Sequence, residues 1–173
     1  MLIELAQINN LDEIENFFNE VNDALKGVYY GPEWKKGIYP TRNDAQTSIL
    51  NKNLYIAKLE NQIVGSISLS HVQESAYLQA NWKVDVSVKE VLVVNLFAIH
   101  HNVKGQGIAT SMLKFAKTKA KELKCKTIRL DVVNQNIPAC LLYEKVGFEY
   151  IATVDLGLPY DKLKWFRLYE FVL

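Results

Sequence analysis

A chain of 173 residues with 49% hydrophobic and 23% charged side chains is long enough for a core of its own and has an ordinary globular balance. Its 20 Lys+Arg nearly cancel its 19 Asp+Glu, and a net charge of +1 gives no field to recruit nucleic acid or an anionic membrane. Two cysteines, Cys125 and Cys140, suit neither a disulfide framework nor a zinc site, and Glu4 falls where a signal peptide needs an apolar run. The expectation is one domain over residues 1–173, cytoplasmic, without metal.

In chain order, Leu2–Ala6 reads as a strand. Asn10 is placed to cap a helix to about Lys26, with Leu11, Ile14, Phe17, Phe18, Val21 and Leu25 at helical spacing and Gly27 as its stop. Val28–Thr41 is rich in aromatics and turns, with Tyr29, Tyr30, Trp34 and Tyr39. These side chains could be packed staples or the wall of a pocket. Asn43–Asn51 reads as a short helix. Leu54–Lys58 and Ile63–Ser70 form a hairpin across Glu60-Asn61-Gln62, without the Asn-Gly of a two-residue turn. Val72–Glu90 is less regular and is expected as a loop or edge strand.

Val91–Ile99 is apolar on both faces apart from Asn95, which suits a strand in the middle of a sheet. The run is too short to span a bilayer. Lys104-Gly105-Gln106-Gly107-Ile108-Ala109 follows, and a helix starts on it. Unpaired N–H groups of a helix's first turn, partial positive charge from the macrodipole and glycines without Cβ together suit a phosphate group. Each amide-to-phosphate hydrogen bond contributes roughly 1.5–3 kcal/mol. The spacing is not that of a P-loop, and Thr110 stands where the dinucleotide fingerprint has its third glycine. On this stretch alone, a glycine turn joining strand to helix is the alternative.

The helix runs to about Leu123, with Ile108, Met112, Phe115, Ala116, Ala120 and Leu123 as its expected buried stripe and Lys114, Lys117, Lys121 and Lys124 as a solvated face. Thr127–Val133 is a strand, Ile137–Lys145 a helix stopped by Gly147, and Phe148–Val154 and Trp165–Val172 closing strands with Gly157 and Pro159 between. The order βαα-βββ-αβ-αββ predicts an α+β or mixed α/β sandwich. His100 and His101, adjacent at a strand end, are expected to point to opposite faces, and His71 to lie on the surface.

Asn136, Ala139 and Tyr143 share a face of the later helix, followed by Gly147-Phe148. Together with the glycine turn this resembles the GNAT superfamily of N-acetyltransferases. The family's acetyl-coenzyme A turn, Arg/Gln-x-x-Gly-x-Gly/Ala, is met by residues 104–109 at the end of Phe97-Ala98-Ile99. Its Asn-x-x-Ala-x-x-x-Tyr-x-x-x-Gly-Phe helix is met by Asn136, Ala139, Tyr143, Gly147 and Phe148. The two motifs cover about a third of the chain. Lys104 departs from the usual Arg or Gln, and Asn95 occupies the region where some members carry a glutamate base.

The resemblance implies a mixed, mostly antiparallel sheet splayed at its middle and flanked by helices. It implies acetyl-CoA as cosubstrate, held by Phe97, Ala98 and Ile99 and by Lys104, Gly105, Gln106, Gly107, Ile108, Ala109 and Thr110, with Asn136, Ala139 and Tyr143. The implied reaction is direct attack of an amine on the thioester. A lysine-like amine needs roughly 4.6 kcal/mol to deprotonate at pH 7. Glu90, Asp85, Glu74 or ordered water are candidates for the base. Tyr143 is assigned as general acid to the thiolate, a transfer uphill by near 2 kcal/mol from ordinary pKa values. A small-molecule or peptide amine is expected at Trp34, Tyr39, Tyr77, Trp82 and Asn95. No nucleic acid or membrane partner is expected, and Trp165–Val172 is apolar enough for a homodimer. A non-catalytic acyl-CoA sensor is the alternative.

Overall fold

The structure, a computed structural model, describes residues 1–28, 34–158 and 164–173. The order is β1 (Leu2–Leu5), α1 (Leu11–Leu25), α2 (Arg42–Leu50), β2 (Leu54–Leu59), β3 (Gln62–Ser70), β4 (Val91–Ile99), α3 (Ile108–Glu122), β5 (Thr127–Val133), α4 (Ile137–Lys145), β6 (Glu149–Asp155) and β7 (Trp165–Val172). The seven strands form one sheet in the order β1-β2-β3-β4-β5-β7-β6, mostly antiparallel, with helices flanking it. This is the mixed architecture the element order predicts. Tyr29 and Tyr30 of the aromatic stretch, and Pro159, lie outside the described residues.

The chain folds into two compact units. The first holds Met1–Gly27, Trp34–Leu69 and Asn95–Met112; the second holds Ser70–Val94 and Leu113–Leu173.

In the first unit, α1 buries Leu11, Ile14, Phe17, Phe18 and Val21, the apolar stripe of the sequence. Full burial contributes roughly 1.5–3 kcal/mol for each large side chain. Asp12 and Glu13 in its first turn complement the macrodipole, and Gly27, at φ +78°, ends it. Asn10 does not cap α1 with its side chain; its Oδ1 instead accepts from Gln7 N at 2.9 Å. Thr41 caps α2, accepting from Asp44 N while Asp44 accepts in return from Thr41 N. The β2–β3 hairpin turns on two residues after all: Leu59 pairs with Gln62, and Glu60 and Asn61 are both left-handed, at φ +47° and +67°. Asn61 supplies the tolerance of αL that an Asn-Gly pair would.

Gly65 on β3 has no room for a side chain. A Cβ there would stand 2.6 Å from Met112 Sδ on α3. Leu96 in β4 takes φ +47°, a conformation a leucine rarely adopts and one that costs of order 1–3 kcal/mol. Ser66 Oγ donates to its carbonyl at 2.7 Å inside the core and holds it there.

In the second unit, β4 pairs in parallel with β5 over three residues only, Val91 with Thr127 to Val93 with Arg129. Both strands run on beyond this ladder. β5 pairs with β7 along its whole length, and β7 with β6. Tyr77, Val91, Val93, Val133, Phe166 and Leu168 share one core cluster. The segment 71–90, expected as a loop or edge strand, forms no strand. It carries two short 3-10 turns, Ser75–Gln79 and Val88–Glu90. On α3, Leu113 is buried with Ala116 and Ala120, whereas Leu123, one residue past its end, is exposed. The expected stripe is therefore shifted at its end. Lys117 also leaves the expected solvated face: its Nζ donates to the Val146 carbonyl and sits 3.5 Å from the centroid of the Phe171 ring.

Candidate active site

The first unit carries the glycine turn. After Ile99 the chain leaves the strand, and a short 3-10 turn, His101–Val103, brings it to Lys104. Gly105 and Gly107 stand at φ +80° and +77°, with open space where a Cβ would go. Residues with side chains meet strain in that region of backbone space, so the glycines are required. The N–H groups of Gly105, Gly107, Ile108, Ala109 and Thr110 meet no acceptor among the described residues; Gln106 N is bonded, to Val103 O at 3.3 Å. Ile108 is buried and pins the helix start, while residues 104–107 are exposed. The turn thus faces outward with its donors unspent, the arrangement that takes an anion.

Upstream, Phe97 and Ile99 are half-buried and Ala98 is buried, with Asn95 half-buried beside the left-handed Leu96. His100 and His101 do not point to opposite faces. Their rings stack with centroids 4.4 Å apart, because the strand has ended at Ile99 and the alternation of a strand no longer applies. His100 Nε2 meets Glu20 Oε2 at 2.8 Å. Trp34 and Tyr39 pack edge to face at 5.7 Å against the core of this unit, and Asn22 Nδ2 donates to the Tyr39 carbonyl at 3.4 Å.

The second unit carries Tyr143. Asn136 caps α4, its Oδ1 accepting from Ala139 N at 3.3 Å, and Pro138 sits in the first turn where no N–H is needed. Asn136 and Ala139 therefore serve the local structure by starting the helix that carries Tyr143. Tyr143 is 6% exposed and packs against Phe148 and Tyr169. Burial, and next the charge of Asp131, push its phenol well above the ordinary tyrosine range.

Tyr77 is fully buried, and its hydroxyl donates to Asp131 Oδ1 at 2.7 Å. Trp82 packs on it at 5.3 Å and donates from Nε1 to the Tyr77 carbonyl. Among the candidate bases, Glu90 is occupied. It caps the Ser87 turn and pairs with Lys126 at 2.7 Å, and these bonds hold its carboxyl down to about 2. Asp85 and Glu74 are exposed. His71 is half-buried rather than on the surface, with Nδ1 2.6 Å from the Val91 carbonyl. Among the described residues no group of three or more His, Cys, Asp or Glu could hold a metal ion, and no helix is long and apolar enough to cross a membrane.

Residues 13–148, most of the chain, match the model of the acetyltransferase (GNAT) family. The chain belongs to that family. Among solved structures, an acetyltransferase of the GNAT family from Streptococcus agalactiae 2603 aligns with a TM-score of 0.81 and 22% identity, over 99% of this chain and 95% of the other. Ribosomal-protein-alanine N-acetyltransferase from Brucella melitensis aligns at 0.74 and 18%, over the whole of both chains. The Salmonella typhimurium protein yncA, solved with its cofactor acetyl-CoA, aligns at 0.71 and 15%, over 100% of this chain and 94% of that one. At these identities the likeness is one of fold. Streptothricin acetyltransferase of Escherichia coli is 32% identical over 102 residues, 59% of this chain. The match spans 49% of that protein, about half its length.

For this GNAT chain, then, the residues from Phe97 to Thr110 form one continuous stretch in the first unit. Tyr77, Trp82, Asn136, Ala139 and Tyr143 belong to the second. The four aromatics expected to hold an acceptor fall into two pairs, Trp34 with Tyr39 and Tyr77 with Trp82. Asp131 escaped the sequence reading. Its signal was present: one carboxylate inside the apolar run Leu130-Asp131-Val132-Val133 of a core strand, where an acid needs a reason.

Proposed function

We propose that the chain is an N-acetyltransferase that moves an acetyl group from acetyl-CoA to a primary amine by direct attack. The observation that carries this is the turn Lys104–Ala109, with its outward amides and two left-handed glycines. In the proposal these donors hold the cosubstrate's pyrophosphate, and the backbone of Phe97 to Ile99 meets its pantetheine arm. The family match supports the chemistry, and the acetyl-CoA in the yncA structure supports the ligand. The name streptothricin acetyltransferase favours a small-molecule amine as acceptor.

Tyr143 is the proposed proton donor to the departing sulfur. Its raised pKa keeps the phenol protonated throughout the neutral range. The same shift makes full transfer to a thiolate costlier than the near 2 kcal/mol of an ordinary tyrosine. A charge-assisted hydrogen bond from the O–H in the transition state is then its main contribution.

An amine panel incubated with acetyl-CoA, read by release of free thiol, tests this reading. Amine-dependent release is expected. Stabilisation by acetyl-CoA in a melting assay without turnover on any amine would favour the sensor reading; no stabilisation at saturation would remove both.

A further inference from the structure

Building on the acetyltransferase reading, we propose that Asp131 is the catalytic base that takes the proton from the acceptor amine, with Tyr77 as the residue that positions it. Asp131 sits on β5, two residues beyond the end of its ladder with β4, where that side of the strand is no longer paired. One carboxylate oxygen, Oδ1, is fixed by the Tyr77 hydroxyl at 2.7 Å. The other, Oδ2, accepts no hydrogen bond from a described residue. Asp131 is thus half-buried and held in one orientation through Oδ1.

Tyr77 cannot swing away. It is 1% exposed, Trp82 lies on its ring, and the Arg129 guanidinium lies 4.1 Å from the centroid of Trp82. Arg129 in turn donates to Gln73 Oε1, Val84 O and Glu170 Oε1. The whole segment that carries Tyr77 is strapped to β5 and β7. A base held this way needs little reorganisation when substrate arrives.

The groups that bear on Asp131 are Tyr77 and Glu74 from the segment above it and Tyr143 from α4. Burial first, and Glu74 with it, push the Asp131 carboxyl up to about 6, against the hydrogen bond from Tyr77. It is therefore ionised at neutral pH and more basic than an ordinary aspartate. Glu74 and Asp131 also make the surroundings anionic, which suits an acceptor that arrives as an ammonium ion.

The step balances. The ammonium loses one proton to water, and the neutral nitrogen attacks the thioester carbonyl carbon. As the N–C bond forms, the remaining proton to be lost passes to Asp131 Oδ2. The C–S bond breaks with its electron pair on sulfur, which takes a proton from the Tyr143 hydroxyl; water carries the Asp131 proton back to Tyr143, so that one amide and one thiol form and one proton is released in all.

The test uses Asp131→Asn, which keeps Oδ1 as an acceptor for Tyr77. Three readouts are taken: stabilisation by acetyl-CoA in a melting assay, thiol release with an amine that the wild type accepts, and the pH profile of kcat/KM. Stabilisation by acetyl-CoA is expected to stay, turnover to fall by about 10²-fold or more, and the acid limb near pH 6 to vanish. Wild-type turnover with an unchanged acid limb would overturn the proposal while leaving the acetyltransferase reading standing. A wild type that turns over no amine would overturn both. Tyr77→Phe gives a second, activity-independent measurement. Carbon-13 NMR of the aspartate carboxyls should show Asp131 titrating at higher pH than in the wild type, and the acid limb should move with it. An unmoved titration would show that Tyr77 does not set the base.

Discussion

Arg129 Nε donates to Glu170 Oε1 at 3.0 Å, with the two side chains 7% and 0% exposed. Glu170 also accepts from Thr127 Oγ1 and from Lys83 N, so its carboxylate is satisfied on both oxygens. This buried pair joins β5, β7 and the segment 71–90. Burial of two charges costs several kcal/mol, and the cost is offset only while the bonds are complete. Arg129→Met should therefore destabilise the fold by about 3–5 kcal/mol, because Glu170 is left as an unpaired buried charge. The double variant Arg129→Met with Glu170→Met should recover much of the loss. Urea unfolding of the two singles and the double measures this, and equal losses for the double and the first single would contradict it.

Gly107→Asp puts a side chain and a negative charge into a turn that has neither. The left-handed backbone alone makes a side chain unfavourable by roughly 1–2 kcal/mol, and the carboxylate repels a phosphate. Affinity for acetyl-CoA in calorimetry should fall by at least tenfold, with the melting temperature of the free protein lowered by only a few degrees, as that backbone cost requires. Unchanged affinity would separate the turn from the ligand.

Tyr143→Phe removes one hydroxyl and leaves the ring packing against Phe148 and Tyr169. Turnover should drop by about 10²-fold, within the range for loss of a general acid or a transition-state hydrogen bond. Acetyl-CoA affinity should stay within a few-fold. If turnover holds, the hydroxyl has no part in the reaction.

Asp131 links activity to stability. Its folded pKa, about 6, lies above the ordinary aspartate value of about 3.9. A group raised on folding stabilises fully below its unfolded value, and this contribution is lost as pH rises through the folded value. The wild type should thus lose about 1–3 kcal/mol between pH 4 and 7 from this residue. Asp131→Asn should remove that slope, so the variant should be the more stable protein at pH 7.5 and gain little at pH 4. Melting curves across that range decide it. Equal slopes for both proteins would mean that Asp131 is better solvated than its place on β5 implies.

Helical and strand periodicity in the chain was sufficient for β4, β5, α1 and α3, because these elements bury long apolar stripes. The glycine turn was legible for a related reason. Gly105 and Gly107 stand where the backbone needs positive φ, and only local geometry is involved. The same holds for the helix of Asn136 and Tyr143, capped by its own first residues.

What spacing did not disclose depends on partners far away in sequence. His100 and His101 were paired by the end of a strand, and Lys117 was drawn from a lysine stripe by a carbonyl and an aromatic ring. Glu90 is held by Lys126, and Asp131 is oriented by Tyr77, 54 residues away. A charge takes its pKa from whatever surrounds it in space, and a one-dimensional pattern carries no record of those neighbours. The chain alone determined which backbone would be ready for an anion; the folded packing decided which carboxylate would be ready for a proton.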